Sequence, residues 1–281
     1  MLRSMYSGIS GMKNFQIKLD VIGNNIANVN TYGFKKGRTT FKDMVSQTIS
    51  GASAPGDTRG GVNPKQVGLG AQLATIDMVD TQGSLQTTGR VLDLGISGDG
   101  FFVVALKGSN DEPDLTTVKL TRAGNFYLDK DGYLVTGDGY YVVGKENNAA
   151  VLINIPTDAE SFSIGSDGSI TVVGANPVDQ KIALTKVPNP SGLQKVGSNL
   201  YAITTNSGKY DSNSTDFDTS DLLTPGEDGA GTIVSGTLEM SNVDLSEEFT
   251  EMIVAQRGFQ ANTRIITTSD EILQELVNLK R

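Results

Sequence analysis

The residues whose spacing comes nearest to a metal site form an acidic turn. Asp129, Asp131 and Gly132 resemble part of a calcium-binding loop. In such a loop the first ligand would be Tyr127, and the twelfth would be Asp138 where a glutamate is required. Because Asp-Gly pairs are strong turn signals, a hairpin turn explains these residues better. The sequence therefore predicts no metal site here.

Two further patterns could support chemistry but are incomplete. The glycine pairs Gly68–Gly70 and Gly98–Gly100 lack the following Gly, Lys or Ser/Thr that a phosphate-binding loop needs. Asp216 and Asp218 could in principle act as the paired carboxylates of a glycoside hydrolase. They lie in a polar segment, residues 206–231, which we predict to be an exposed loop. We therefore predict no catalytic or cofactor-binding residues, and a protein that is not an enzyme.

The composition excludes further classes of protein. The 281 residues include no His, Cys or Trp, which removes the commonest general base and every thiolate ligand. A net charge of −9 argues against nucleic-acid binding. The longest apolar run, Phe101–Leu106, has the length of a strand and not the ~18 residues of a membrane span. The N-terminus lacks a compact apolar region and a cleavage site, so we expect a soluble protein without a cleaved signal peptide.

The two ends of the chain carry its most regular patterns. Between Leu245 and Leu279 only Gly258 could interrupt a helix, and Asp244 precedes this stretch as an N-cap. Such a helix would be roughly 50 Å long. Apolar residues recur in it every seven positions. One row is Leu245, Met252, Phe259, Ile266 and Leu273; a second is Ile265, Ile272 and Leu279; and Phe249, Ile253, Leu276 and Val277 widen the stripe.

A second heptad pattern near the N-terminus predicts an amphipathic helix of about 25 residues. Gly8, Gly11 and Gly23 each weaken it by ~1 kcal/mol relative to Ala, and Gly33 is a natural stop. Two interpretations remain open, a core helix of an ordinary domain and a coiled coil between the two ends of the chain. The rows are Met5, Met12, Leu19 and Ile26, accompanied by Phe15, Ile22 and Val29.

The charges of the two ends favour the coiled coil. Residues 1–42 contain seven basic residues and one acidic residue, whereas residues 239–281 contain eight acidic and four basic residues. Helices of opposite charge attract each other, although each exposed ion pair contributes only ~0–1 kcal/mol. We therefore predict that the terminal helices pair.

The middle of the chain has the periodicity of strands. Short β-branched or aromatic runs separated by Asp-Gly turns, among them Phe101–Ala105 and Thr232–Met240, predict a β-rich region. A preceding stretch rich in Gly, Ser, Thr and Pro predicts a linker or extended arm. The predicted fold is α+β, with long, paired, coiled-coil-like terminal helices. Its segments are the N-terminal helix, residues 1–42; the arm, 43–70; the β-rich middle domain, 71–240; and the C-terminal helix, 241–281.

The segment Leu19–Lys36 resembles the N-terminal signature of the bacterial flagellar rod and hook (axial) proteins. The matching positions are Asn24, Asn25, Ala27, Asn28, Thr31, Gly33, Phe34 and Lys35. Four Asn within seven residues disfavour an isolated helix, and their short amides suit hydrogen bonds to neighbouring subunits. Local capping at the helix end would explain only Asn28 and Asn30.

The resemblance extends over most of the chain. Gly98–Phe102 and Leu120–Phe126 resemble the middle domain of this family, and Ser241–Asn262 resembles its C-terminal signature. The greatest likeness is to the short hook proteins of Gram-positive bacteria. This implies a hook subunit, whose helical tube acts as a universal joint and passes torque to the filament. The alternative within the family is a distal rod protein, a stiff drive shaft. Outside the family it is a monomeric extracellular β-domain that binds or hydrolyses a ligand.

The resemblance also implies partners and a location. The chain would be exported by the flagellar type III apparatus and would polymerise outside the cell. Its partners would be other copies of itself, distal rod and hook–filament junction proteins, and the hook cap during assembly. No cofactor, nucleic acid or membrane insertion is expected. The apolar rows of both helices would form the interface within and between subunits, while the arm and the β-domain surface would carry adjustable contacts.

Overall fold

The computed structural model describes residues 2–56, 59–108, 112–174, 179–211 and 217–279. The chain divides into two compact units. Unit 1 is formed by residues 1–27, 37–77 and 244–281, and unit 2 by residues 28–36 and 78–243. Unit 1 contains two long helices and unit 2 is rich in strands, so the predicted α+β class is confirmed.

The helices of unit 1 are α1, Leu2–Ala27, and α2, Leu245–Asn278. They run antiparallel, because Ser4 near the start of α1 meets Ser269 near the end of α2, whereas Lys18 pairs with Glu251. The predicted N-cap is confirmed: the Asp244 carboxylate accepts hydrogen bonds from the backbone N–H groups of residues 246 and 247. These two bonds satisfy backbone N–H donors that would otherwise lack a partner in the first turn of α2.

The first helix ends earlier than the predicted 1–42 segment. Its last residue is Ala27, and residues 28–36 belong to unit 2. The Asn28 amide oxygen accepts a 3.1 Å hydrogen bond from the Thr31 hydroxyl, and its backbone oxygen accepts another from the Thr31 N–H. Gly33 then adopts a left-handed backbone with φ of 68°. The bonds between Asn28 and Thr31 therefore lie at the helix end, whereas Gly33, the predicted stop, turns the chain six residues after Ala27.

Four strands follow α1, and the second and third of them lie in the segment predicted to be a linker or extended arm. They are β1 Gly37–Asp43, β2 Ser46–Ser50, β3 Lys65–Gly68 and β4 Ala71–Met78. β1 pairs with β4, and β2 pairs with β3 in an exposed antiparallel hairpin. Bridges between Ser53 and Val62 and between Gly56 and Arg59 extend this hairpin towards its tip. The segment is therefore an arm with its own backbone ladder, which orders it without a core of its own.

The strands of unit 2 in the described residues run antiparallel. The largest sheet has the order β17-β18-β8-β7-β11-β10-β9, with β12 and β15 also paired to β11 and β16 to β7. The strands are β5 Leu85–Thr87, β6 Leu94–Ser97, β7 Phe101–Ala105, β8 Lys119–Thr121, β9 Tyr127–Leu128, β10 Leu134–Val135, β11 Tyr141–Glu146, β12 Ala149–Leu152, β13 Ser161–Ile164, β14 Ile170–Val173, β15 Lys181–Ile182, β16 Leu184–Thr185, β17 Gln194–Gly197, β18 Leu200–Ala202, β19 Thr232–Ser235 and β20 Thr237–Glu239.

Strand β7 is the centre of unit 2. All five of its residues are buried, and successive side chains point to opposite faces of the sheet. Phe102 and Val104 join one hydrophobic cluster, while Phe101 and Val103 join another on the opposite face. Its continuous apolar sequence, without polar alternation, follows from this burial on both faces.

The prediction that residues 206–231 form an exposed loop is in part wrong. Phe217, Leu222 and Leu223 are buried, and Leu223 exchanges two backbone hydrogen bonds with Leu184 of β16. Asp221 is also buried, and its carboxylate accepts hydrogen bonds from backbone N–H groups. A few apolar residues in a polar segment are sufficient to anchor it, since each contributes roughly 1.5–3 kcal/mol on burial.

The two acidic patterns have structural roles in the described residues. Asp129 lies in the turn between β9 and β10, so the predicted hairpin is confirmed. Asp218 caps a short 3-10 helix at Thr219–Asp221, whereas Asp216 lies outside the described residues. No helix in the described part of the chain is long and apolar enough to cross a membrane.

Candidate assembly site

Glycines allow α1 and α2 to approach closely. A Cβ atom added to Gly258 of α2 would lie 2.5 Å from Cζ of Phe15 in α1. One added to Gly11 of α1 would lie 2.8 Å from the amide oxygen of Asn262 in α2. Both distances are shorter than normal van der Waals contact. Glycine at these positions leaves room for the Phe15 ring and the Asn262 amide between the helices, and a Cβ there would force these side-chain ends to shift.

The row of α2 that lies against α1 is smaller and more polar than the sequence predicts. The row Met252, Ile266 and Leu273 is half-buried, in keeping with the heptad pattern. The accompanying buried or half-buried row consists of Glu248, Ala255, Asn262 and Ser269. The apolar row predicted to accompany it, Ile265, Ile272 and Leu279, is exposed. Close packing explains the exchange at Ala255, Asn262 and Ser269, whose short side chains fit between two helices in contact at glycines. The longer Glu248 accepts a hydrogen bond from Asn25.

The predicted helix-interface residues occupy different environments. Ile22 is buried in unit 1, and Phe15 packs against Phe41 of β1 with ring centroids 6.3 Å apart. Val29 follows the end of α1 and belongs to unit 2. Partly buried members are Met5, Met12, Phe15, Leu19, Ile26, Val29, Met252, Ile266 and Leu273, and exposed members are Leu245, Phe249 and Phe259. A role for these residues in contacts between subunits stays a prediction.

Helix α2 exposes a large amount of apolar surface. Ile265 and Ile272 are 45% and 44% exposed, and Leu279 is 83% exposed. The other exposed large apolar residues of α2 and its end are Leu245, Phe249, Ile253, Val254, Phe259, Leu276 and Val277. Contiguous apolar surface of this kind is typical of a protein–protein interaction site.

Asn25 binds within unit 1. Its amide oxygen accepts a 2.9 Å hydrogen bond from the Gly37 N–H, and its amide nitrogen donates a 2.9 Å bond to the Gly37 oxygen. The same nitrogen donates to the buried Glu248 carboxylate at 3.2 Å. Asn25 thus connects α1 to the start of β1 and to α2. The described bonds of Asn25 lie within the chain, and bonds from the asparagine cluster to a neighbouring subunit stay a prediction.

The signature positions from Asn28 onwards belong to unit 2, whereas Asn24 belongs to unit 1. Asn28 and Thr31 form a local cap at the end of α1. For Asn28 this is the local capping expected as the alternative to contacts with neighbouring subunits. Asn24 lies on an exposed part of α1. The Gly33 N–H donates a 2.8 Å hydrogen bond to the backbone oxygen of Glu239. A Cβ at Gly33 would lie 2.6 Å from the backbone of residue 123. Gly33 therefore permits both a left-handed turn and close backbone contact.

Phe34 is buried beneath a cation. Its ring is 8% exposed, and the Lys195 ammonium lies 4.5 Å from the ring centroid. Lys195 also donates a 2.9 Å hydrogen bond to the Lys35 oxygen. Burial lowers the pKa of Lys195, since desolvation disfavours its charged form. The aromatic face and the carbonyl oxygen stabilise the ammonium at this position.

A buried charge cluster in unit 2 is the main feature that sequence reasoning missed. The Glu239 carboxylate accepts hydrogen bonds from the Lys35 ammonium at 2.8 Å and from the Arg122 guanidinium at 3.0 Å. Each of the three side chains is at most 2% exposed. Lys35 and Arg122 both lie in motifs that carry the family resemblance, but no local pattern indicates that Glu239 meets them.

Further polar groups complete this cluster. Lys35 donates to the Thr81 oxygen at 2.8 Å and lies 3.7 Å from the Asp80 carboxylate. Arg122 donates to a backbone oxygen at 2.9 Å, and the Gly83 N–H donates to Glu239 at 2.9 Å. Such dense bonding is required because a buried charge without partners costs several kcal/mol.

The nearby Tyr201 is held in its neutral form. Burial raises its pKa well above the usual value of 10.0, and the carboxylates of Asp80 and Glu239 act in the same direction, while Arg122 opposes them. Its ring packs edge-on against Phe101, with centroids 5.8 Å apart. The charge cluster therefore adjoins the hydrophobic core of unit 2.

The two units differ in charge. Unit 1 contains eleven basic and eleven acidic residues, whereas unit 2 contains twelve basic and twenty-one acidic residues. The net charge of the chain therefore resides in unit 2. Copies of unit 1 carry no net charge that would oppose their association, and the exposed apolar surface of α2 lies in this unit.

The described residues contain no group of three or more Asp, Glu, His or Cys side chains that could hold a metal ion. The buried cluster around Glu239 is filled by protein donors and lies almost entirely out of solvent. Its arrangement can hold segments of the chain together, and the exposed surface of α2 can bind another apolar surface.

Comparison with known proteins identifies three matching regions. Residues 5–35 match the model described as "Flagella basal body rod protein". Residues 95–172 match "Flagellar hook protein FlgE/F/G D1 domain", and residues 234–279 match "Flagellar basal body rod FlgEFG protein C-terminal". The three matches contain the stretches in which the sequence resembles the axial family.

Relatives match over the full length. The chain is 60% identical over 284 residues to the flagellar basal-body rod protein FlgG of Bacillus subtilis, covering 100% of both chains. It is 36% identical over 287 residues to FlgG of Borreliella burgdorferi, again with 100% of both covered. The hook protein FlgE of the latter organism is 33% identical over 460 residues, also with 100% of both covered. The chain therefore belongs to the flagellar rod and hook protein family.

Proposed function

We propose that this chain is a structural subunit of the distal flagellar rod, a stiff helical tube that transmits motor rotation. The observation that carries the proposed assembly is the exposed apolar surface of α2 in a unit without net charge. The sequence interpretation ranked the hook first and the distal rod second. The full-length relatives favour the second of these.

Length and identity support the rod over the hook. The B. subtilis rod protein aligns over 284 residues, close to the 281 of this chain. The hook protein FlgE of Borreliella burgdorferi aligns over 460 residues at 33% identity, and that of Treponema pallidum over 481 residues at 28% identity. Both hook proteins therefore contain long insertions relative to this chain. The adjustable contacts expected of residues 43–70 and of the β-domain surface belong to the hook interpretation and stay a prediction.

Assembly would begin at the helices of unit 1. Exposed residues of α2 such as Ile265 and Ile272 would pack against helices of neighbouring copies, each well-buried apolar side chain contributing roughly 1.5–3 kcal/mol. A head-to-tail contact that does not close into a ring generates a helical tube. The acidic unit 2 would face outwards, where its charges stay hydrated and repel one another least.

The proposal extends to export and to partners. The flagellar export apparatus would deliver the chain to the growing rod, where it would contact other copies of itself and the axial proteins that precede and follow it. These assignments rest on membership of the axial family. They do not depend on a particular contact described above.

Electron microscopy of basal bodies tests this proposal. Cells that lack the gene are compared with the same cells carrying a restored copy. We expect the mutant rod to stop short and the restored cells to build a complete rod. A mutant with a complete rod and no curved hook would support the hook instead. Complete rod and hook in the mutant would refute both assignments.

A further inference from the structure

Three segments of unit 2 come together next to three of the four positions at which the chain continues into unit 1. They are residues 33–36, 79–83 and 239–242. The sequence singled out the first and the third as family signatures, but their role in assembly does not explain why their polar side chains are directed inward. The hydrogen bonds among them supply a reason.

Lys36, Val79 and Asn242 form a closed ring of hydrogen bonds. The Lys36 N–H donates to the Asn242 amide oxygen at 2.8 Å. The Asn242 amide nitrogen donates to the Val79 oxygen at 2.8 Å, and the Val79 N–H donates to the Lys36 oxygen at 2.9 Å. Each of the three segments is therefore bonded directly to the other two. Asn242 is suited to this position because its amide offers both an acceptor and donors.

A second layer lies beside the ring. Lys35 binds the Glu239 carboxylate and the Thr81 oxygen, both at 2.8 Å. The Asn242 amide also donates to the Thr81 hydroxyl at 3.0 Å. We name the two layers the clasp, which consists of Lys35, Lys36, Val79, Thr81, Glu239 and Asn242.

The three segments leave the clasp at one end. Gly33 bonds to Glu239 and Lys36 to Asn242, so these two segments run in the same direction. Segment 79–83 runs opposite, because Met240 bonds to Ser84 while Asn242 bonds to Val79. Residues 36, 79 and 242 therefore lie together, each within two residues of a boundary with unit 1.

We infer that the clasp carries the mechanical load where the chain leaves unit 2, with Asn242 as its positioning residue. This inference rests on the proposed function, since a subunit of a rotating tube passes force between its two units through these connections. A single segment would peel away from the sheet one hydrogen bond at a time. Segments bonded to each other must break several bonds together, including those of the buried Lys35–Glu239 pair.

The first test measures rupture force on the full-length chain. Because the chain has no cysteine, two introduced cysteines provide unique attachment points. Val243→Cys lies at the end of segment 239–242, and Asp131→Cys lies in the exposed β9–β10 turn. Asn242→Asp keeps the acceptor for Lys36 but places an oxygen against the carbonyl oxygens of Val79 and Thr81. We expect this variant to rupture at a clearly lower force than the parent.

A matched control separates mechanical load from stability. Ile153 is fully buried in the unit 2 core and is not part of the clasp. Ile153→Val and Ile153→Ala give a series from which the variant with the same loss in melting temperature as Asn242→Asp is chosen. The control should rupture near the parental force. Equal rupture forces for the control and Asn242→Asp would overturn the inference.

The second test is made in cells. Strains with Asn242→Asp, Asn242→Ala or the Ile153 control swim in ordinary and in highly viscous medium. We expect several-fold more cells with lost filaments in the Asn242 strains at high viscosity, and no such excess in the control. An equal loss in all strains would overturn the inference even if the rod is built normally. A complete rod in cells lacking the gene would instead refute the proposed function.

Discussion

The Lys35 ammonium and the Glu239 carboxylate lie 2.8 Å apart, although 204 residues separate them in the sequence. Both are essentially inaccessible to solvent, with side chains 1% and 0% exposed. The pair joins the beginning of unit 2 to its end, and Arg122 approaches the same carboxylate from the middle of the unit. Unit 2 can therefore reach its final packing only when segments from all three regions are present.

Replacing Glu239 by glutamine should strongly destabilise unit 2. The variant keeps the shape of the side chain but leaves the buried Arg122 cation without its carboxylate, and leaves Lys35 only the Asp80 carboxylate at 3.7 Å. We expect Glu239→Gln to lower the free energy of unfolding by about 3–5 kcal/mol. Denaturant titration of the purified full-length chain, followed by circular dichroism, measures this change.

An exposed pair provides the control for this variant. Asp167 lies 3.5 Å from Lys181, and both side chains are about half exposed. Asp167→Asn should cost less than about 1 kcal/mol, because water screens this pair. Similar losses for Glu239→Gln and Asp167→Asn would contradict the role assigned to the buried cluster.

Alanine at two helical glycines should have opposite effects. Gly258→Ala places a Cβ 2.5 Å from the Phe15 ring, so this ring must shift within the packed helix pair at a cost of about 1–3 kcal/mol. Gly23→Ala meets no atom within 4 Å and should stabilise α1 by up to about 1 kcal/mol. Thermal unfolding of the two variants distinguishes them. A stabilising Gly258→Ala would show that the helices do not pack at this position.

A charge on the exposed surface of α2 should block assembly without unfolding the chain. Ile272 is 44% exposed, so Ile272→Glu should change the free energy of unfolding by no more than about 0.5 kcal/mol. Burying that carboxylate against a neighbouring helix would be costly, and we expect cells carrying this variant to build short rods or none. Thr268→Glu, also exposed on α2, is the control and should build rods of normal length. Normal rods with Ile272→Glu would exclude this residue from the interface.

Alkaline pH should weaken unit 2 through Tyr201. Burial raises the pKa of Tyr201 above its usual 10.0, so the folded state retains a proton that the unfolded state releases. The stabilisation is fully present below pH 10 and is lost as the pH rises beyond it, by at most about 1.4 kcal/mol per pH unit. Denaturant titrations across this range should show a shallower loss for Tyr201→Phe than for the parent. The exposed Tyr6→Phe serves as the control and should follow the parent.

The heptad pattern predicted the helices well because it is a local property. The stretch after Asp244 has a cap, acidic residues in its first turn and an apolar repeat, and it is helical up to Asn278. The same pattern could not tell which apolar row faces α1. Ile265 and Ile272 fit the repeat as well as Ile266 does, but the glycine contacts between the helices leave them exposed.

The extended arm and the 206–231 segment show the same limit. Both are rich in polar residues and turn formers, and the sequence predicts little order for either. Residues 46–50 and 65–68 nevertheless pair as a hairpin, and Leu223 joins β16 by two backbone hydrogen bonds. Backbone pairing is open to almost any sequence, so composition alone does not exclude it.

The sequence by itself determined the α+β class, the two long helices, the cap at Asp244 and membership of the axial family. These follow from short-range periodicity and from motifs that can be read along the chain. Only the tertiary structure decided that Asn25 binds Gly37 and Glu248, and that Lys35, Arg122 and Glu239 share one buried site. Burial and partner choice depend on which distant segments meet, and a polar residue carries no local sign of whether water or another side chain will satisfy it.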